Sequence, residues 1–89
     1  MIVIVMDSAP EKLRGELTRW LLEVKHGVFV GKTSAMVRER LWEKVRRSQT
    51  VGALLLYNAD TEQGFRIELC GVPQRTVIDL DGIQLIKTR

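Results

Sequence analysis

The chain has 89 residues, of which 45% are hydrophobic and 28% charged, with a formal net charge of +3. That is ordinary globular composition and excludes a disordered or low-complexity chain, but a domain this small hides only about 60–65% of its unfolded surface, so oligomerisation would help it. The charge is uneven: residues 11–47 carry ten Lys/Arg against five Glu, while the remainder carries four against six acids.

Ile2 to Met6 is a continuous apolar run with β-branched residues, the pattern of a central strand covered on both faces. It is too short for a membrane span or signal core and meets an acid at Asp7, which predicts a cytoplasmic protein without a membrane segment. Ser8 and Glu11 are spaced as a capping box, with Pro10 suited to a first helical turn. Leu13, Leu17, Trp20, Leu21 and Val24 follow at helical spacing, predicting a first helix with one stripe on the sheet and Lys12, Glu16, Arg19 and Glu23 on its wet side.

Val28–Val30 reads as a short strand, and a bend near His26-Gly27 or Gly31 would divide residues 24–32 into two. Thr33 or Ser34 caps a second helix running to about Arg47, with Val37, Leu41 and Val45 as its core stripe. Arg40, Lys44 and Arg47 share another face. Trp42 lies off the core stripe, as a rim residue or a partner contact. Residues 51–59 form a further β run, 58–64 are turn-rich, and Phe65–Cys70 alternates apolar and polar as a strand with one wet face. After the Asp79–Gly82 turn comes a last strand, Ile83–Lys87. Helices and strands in this order give an α+β class: a ferredoxin-like plait over residues 1–89, two helices on one face of a mainly antiparallel sheet, plus a C-terminal strand.

Catalytic provision is sparse. His26 and Cys70 are the only residues of their kinds and sit on different elements, so no nucleophile–base pair is expected. The lone cysteine also excludes an intramolecular disulfide and fits a reducing compartment. No phosphate-cradling glycine loop or dinucleotide fingerprint is present. Asp7, just past the first strand, is the one suggestively placed carboxylate. It either favours the N-terminal end of the following helix or, paired with a second copy across a dimer axis, supplies oxygen ligands for Mg2+. Asp79 and Asp81 are explained by their turn. Lys12 and Arg14 at the start of the first helix are phosphate-contact candidates, with Arg38 on the second. Aromatic residues do not interleave with these charges, which disfavours base stacking.

Two blocks, residues 10–31 and Gly71-Val-Pro-Gln-Arg-Thr-Val-Ile-Asp-Leu-Asp-Gly82, agree in order and spacing with the small CRISPR-associated protein of spacer acquisition. The chain resembles that Cas2 family, in its type I-E form, over nearly its whole length. The resemblance implies a homodimer that binds double-stranded DNA between integrase subunits, as a structural bridge whose partner performs strand transfer. It matches Lys12 and Arg14, and Gln74 and Arg75, to contacts with the duplex backbone, although a glutamine stands at 74 and a glutamate at 16 where the compared pattern has basic residues. It assigns residues 79–89 to a partner-docking strand, with Ile83, Leu85 and Ile86 meeting the integrase. Some members of the family are metal-dependent endonucleases through an aspartate at the position of Asp7. A nuclease acting alone on RNA or DNA with Mg2+ is therefore the alternative.

Overall fold

The computed structural model describes residues 1–48, 52–71, 75–80 and 83–88, the last two segments as backbone only. Its elements run β1 (Ile2–Met6), α1 (Glu11–Leu17), β2 (Leu22–Lys25), β3 (Val28–Gly31), α2 (Ala35–Arg47), β4 (Ala53–Asn58), β5 (Phe65–Cys70), β6 (Arg75–Leu80) and β7 (Ile83–Thr88). The five-stranded sheet has the order β2-β3-β1-β4-β5, with every pairing antiparallel. Its first four strands and two helices make the ferredoxin-like plait, and β5 extends the sheet beyond β4. Strands β6 and β7 form a separate antiparallel hairpin.

The core lies between the sheet and the two helices. Ile2, Ile4 and Met6 from β1, Phe29 from β3, and Ala53 and Leu55 from β4 meet Leu13 and Leu17 of α1 and Leu41, Trp42 and Val45 of α2. Ile4, Leu17, Phe29 and Val45 are wholly buried. Trp42 is 4% exposed and belongs to this core, so the apolar stripe of α2 is wide enough to include it. The Ser34 hydroxyl accepts the Val37 N–H at 3.2 Å and starts α2, as its sequence signal indicates.

The first helix departs from its pattern. It ends at Leu17, its N-cap is Pro10 without a side-chain cap bond, and the Ser8–Glu11 capping box does not form. Residues 18–21 carry the chain around a tight turn, in which Leu21 donates to the Leu17 carbonyl at 2.8 Å. This turn crosses Gly31 so closely that a side chain there would approach Leu21 Cδ2 to 2.6 Å. Leu21 stays in the core, but Trp20 is exposed and Val24 stands on the edge strand β2. Helical spacing beyond residue 17 therefore has no helix to serve. The divided-strand expectation holds: the chain reverses at Gly27, whose φ of +81° favours glycine. The Met6 N–H donates to the Gly27 carbonyl at 2.8 Å, joining the turn to β1.

Two further departures concern the sheet. β1 is central, but only alternate residues are fully buried, because helices cover one side and Val3 and Val5 are half-buried on the other. In β5 the polar residues Arg66 and Glu68 oppose Tyr57 and Leu55, on the helix side, while Phe65, Ile67 and Leu69 align with Asn58, Leu56 and Leu54 on the far side. The wet positions of β5 thus lie on the side that carries the helices, at an edge where exposed Arg66 and Glu68 border the helix layer. Residues 75–80 form a strand, with Asp79 in it opposite Gln84, so Asp79 is not a turn residue. Asp81 and Gly82 lie outside the described residues.

Candidate nucleic-acid interface

The short first helix presents its cations unevenly. Lys12 is exposed and has no ion pair among the described residues. Arg14 is held from β2 and the turn after it: its Nε lies 3.5 Å from Glu23 Oε2, and its Nη2 lies 3.4 Å from both ring nitrogens of His26. The same Glu23 oxygen accepts the Gly27 N–H at 3.0 Å. One carboxylate therefore anchors both the β2–β3 turn and Arg14, whose side chain is one-third exposed. Nε is buried without a hydrogen bond, and Glu23 is its ion-pair partner.

On α2, Arg38 lies over the Tyr57 ring, 3.9 Å from its centroid, a cation–π contact across helix and sheet. Its groove also includes Trp42, Glu39, Glu43, Arg46 and Glu68. Three carboxylates make this a mixed-charge surface and a poor phosphate seat. Lys12 instead faces Glu16, Lys44 and Arg47 in the cleft between the helices. Lys12 and Arg38, both read as backbone contacts, thus lie in different grooves.

The cations of α2 are substantially paired. Lys44 Nζ lies 3.0 Å from Glu16 Oε2, and Glu43 takes both Arg46 and Arg47, the latter at 3.1 Å. The neighbouring guanidiniums, Arg46 first, hold the Glu43 carboxyl below its ordinary value. Arg40 has no ion pair among the described residues. The row Arg40–Lys44–Arg47 therefore carries less free charge than its spacing suggests.

Asp7 follows β1 directly and is exposed. Its N–H donates to the Gly52 carbonyl at 3.2 Å, and its carboxylate occupies the space where a side chain at Gly52 would go. It does not cap α1, whose N-cap makes no side-chain bond. No cluster of three or more His, Cys, Asp or Glu suited to a metal occurs among the described residues. A hard divalent cation takes about six oxygen ligands, and Asp7 alone does not make such a site within one protomer.

Arg75 opens β6 opposite Thr88, while Gln74 lies outside the described residues. Ile83, Leu85 and Ile86 pair with Leu80, Ile78 and Val77 in the hairpin. No described helix is long and apolar enough to cross a membrane.

The partners of Arg14 and Arg38 carried no sequence signal. Glu23, His26 and Tyr57 lie nine, twelve and nineteen positions away on other elements, and only the folded register brings them together.

A family model described as CRISPR-associated protein (Cas_Cas2CT1978) matches residues 1–85.

Proposed function

Because this chain belongs to the Cas2-like family of CRISPR-associated proteins, we propose that it is the structural, DNA-bridging subunit of the type I-E spacer-acquisition complex. It acts as a homodimer between integrase subunits and holds the captured duplex without reading its sequence. One observation carries this reading: through its central strands β3, β1 and β4 the sheet is apolar on both faces. On the side away from the helices, Val3 and Val5 align with Val30 and Val28 of β3 and with Leu56 and Leu54 of β4, and β5 adds Ile67 and Leu69. Leu22 continues this face to the edge at β2 and is 68% exposed.

An antiparallel sheet with one wet face alternates apolar and polar residues, whereas a sheet apolar on both sides is built to be covered twice. A second copy is the cover that fits, because a flat aliphatic face is complementary to itself under a two-fold axis. Joined there, the protomers turn their helix layers outward, each with Lys12 and the Arg14 assembly at its surface. Two equal cationic surfaces at a fixed separation are what bridging a duplex requires, and Lys and Arg contacts to phosphate are indifferent to sequence. Residues 79–89, with Ile83, Leu85 and Ile86 in β7, are the segment that meets the integrase.

The test is half-site integration of a labelled short duplex by the cognate integrase. Activity should require this protein, survive Asp7→Ala, and fail with Arg14→Glu combined with Arg75→Glu. Loss with Asp7→Ala alone would replace bridging by the Mg2+-dependent nuclease reading, and indifference to every variant would remove the role altogether.

A further inference from the structure

Between the start of α1 and the end of α2 the surface opens into a cleft of about 560 Å³, bounded by Pro10, Lys12, Leu13, Glu16, Lys44 and Arg47. We propose that this cleft is a seat for a phosphodiester of the nucleic-acid backbone, in which Lys44 and Arg47 join Lys12 and Glu16 is a built-in competitor for Lys44. The proposal rests on the duplex-binding reading above and adds to it a specific site and a residue that opposes binding.

The charge inventory supplies the first argument. Three cations, Lys12, Lys44 and Arg47, line the cleft with one carboxylate, Glu16. Glu16 serves Lys44, and Glu43 outside the cleft is divided between Arg46 and Arg47, so among the described residues Lys12 has no ion pair. The backbone does not reverse this surplus. The cleft lies between the N-terminal end of one helix and the C-terminal end of another, whose partial charges are opposite and offset each other. Side chains therefore set its sign, which is positive.

Accessibility supplies the second. The side chains of Lys44 and Glu16 are 50% and 34% exposed, and that of Arg47 is 78% exposed. Ion pairs this wet are weak and exchange readily. A phosphodiester entering the cleft offers Lys44 an acceptor equivalent to the Glu16 carboxylate, with Lys12 and Arg47 as further donors. Glu16 meanwhile repels the same phosphate. Removing its charge thus both releases Lys44 and removes the repulsion, an improvement that damage to the fold would not imitate.

The experiment measures binding of a short duplex to the full chain by fluorescence anisotropy across a salt series, for wild type, Lys44→Gln, Arg47→Gln and Glu16→Gln. Lys44→Gln should weaken binding severalfold and lower the magnitude of the log–log salt slope by about 1, the effect of losing one phosphate contact. Arg47→Gln should act in the same direction, and Glu16→Gln should tighten binding severalfold. Duplex binding by the wild type that neither Lys44→Gln nor Glu16→Gln alters would overturn the seat and leave the bridging role standing. No duplex binding by the wild type would overturn both. Inorganic phosphate replacing chloride at matched ionic strength should not displace the duplex; displacement would identify a small-anion site and overturn the proposal. Circular dichroism of each variant checks that its fold is intact.

Discussion

Gly52→Ala tests the junction that positions Asp7. Gly52 has φ of +69°, in the left-handed region that a residue with a Cβ enters at a cost of about 1–2 kcal/mol. Its missing side chain is also the space filled by the Asp7 carboxylate, so an alanine methyl must displace that carboxylate as well. Exposed Asp7 alone contributes little, and Asp7→Ala should change stability by no more than about 0.5 kcal/mol. The double variant keeps the backbone strain but loses the collision, and it should be more stable than the two single effects predict by at least about 0.5 kcal/mol. For a chain of this size, each kcal/mol moves the melting temperature by about 4–8 °C, so Gly52→Ala should melt roughly 5–15 °C below wild type. Differential scanning calorimetry of the four proteins measures the cycle. Strict additivity would refute the claimed packing of Asp7 on Gly52. A large loss from Asp7→Ala alone would show that this substitution is not a clean probe in the integration assay.

Val5→Lys places a charge in the middle of the apolar sheet face and should convert the proposed dimer to monomer, with unchanged far-ultraviolet circular dichroism; light scattering that reports the wild-type mass would remove the dimer surface. Ser34→Ala removes the acceptor for the Val37 N–H and should lower stability by about 1 kcal/mol in denaturant melts, while no change would mean that solvent satisfies the helix start equally well. The Glu43 carboxyl titrates below its ordinary value of 4.5 because Arg46 and Arg47 favour its charged form. Its contribution is therefore present above pH 4.5 and is lost as pH falls through the lowered folded-state value. Wild type should melt above Glu43→Gln at neutral pH and converge with it in acid, and a constant difference across that range would contradict the assignment.

Much of the plait was legible because local signals and core demands coincide. Ser34, the stripe Val37–Leu41–Val45 and the end near Arg47 specify α2 with little ambiguity, and the glycine at 27 marks the reversal between β2 and β3. The first helix is shorter than its periodicity predicts because Leu13, Leu17 and Leu21 occupy the core along a path that leaves the helix after Leu17. Periodicity records which residues are buried and does not record how the chain travels between them. The direction of β5 was equally hidden. Alternation in Phe65–Cys70 separates two sides, but only the register Leu56↔Ile67 decides which side meets the helices. Site charges were legible as an inventory and illegible as pairs, since Glu16 and Lys44 are 28 positions apart.

The second sheet face also bears on the proposed duplex-binding role. Plaits that read single-stranded RNA place aromatic residues on the open sheet face, where bases stack. Here that face is aliphatic through its three central strands, with Val3, Val5, Val28, Val30, Leu54 and Leu56, and its aromatic member, Phe65, stands on the edge strand. The remaining aromatics are committed elsewhere: Phe29 and Trp42 are buried, Tyr57 lies under Arg38, and exposed Trp20 follows the end of α1. The face suited to bases in other plaits is thus suited here to protein, which leaves the cationic helix layer for any polyanion. A contact made there by Lys12, Arg14 and the α1–α2 cleft is electrostatic and should weaken steeply with salt while tolerating any sequence.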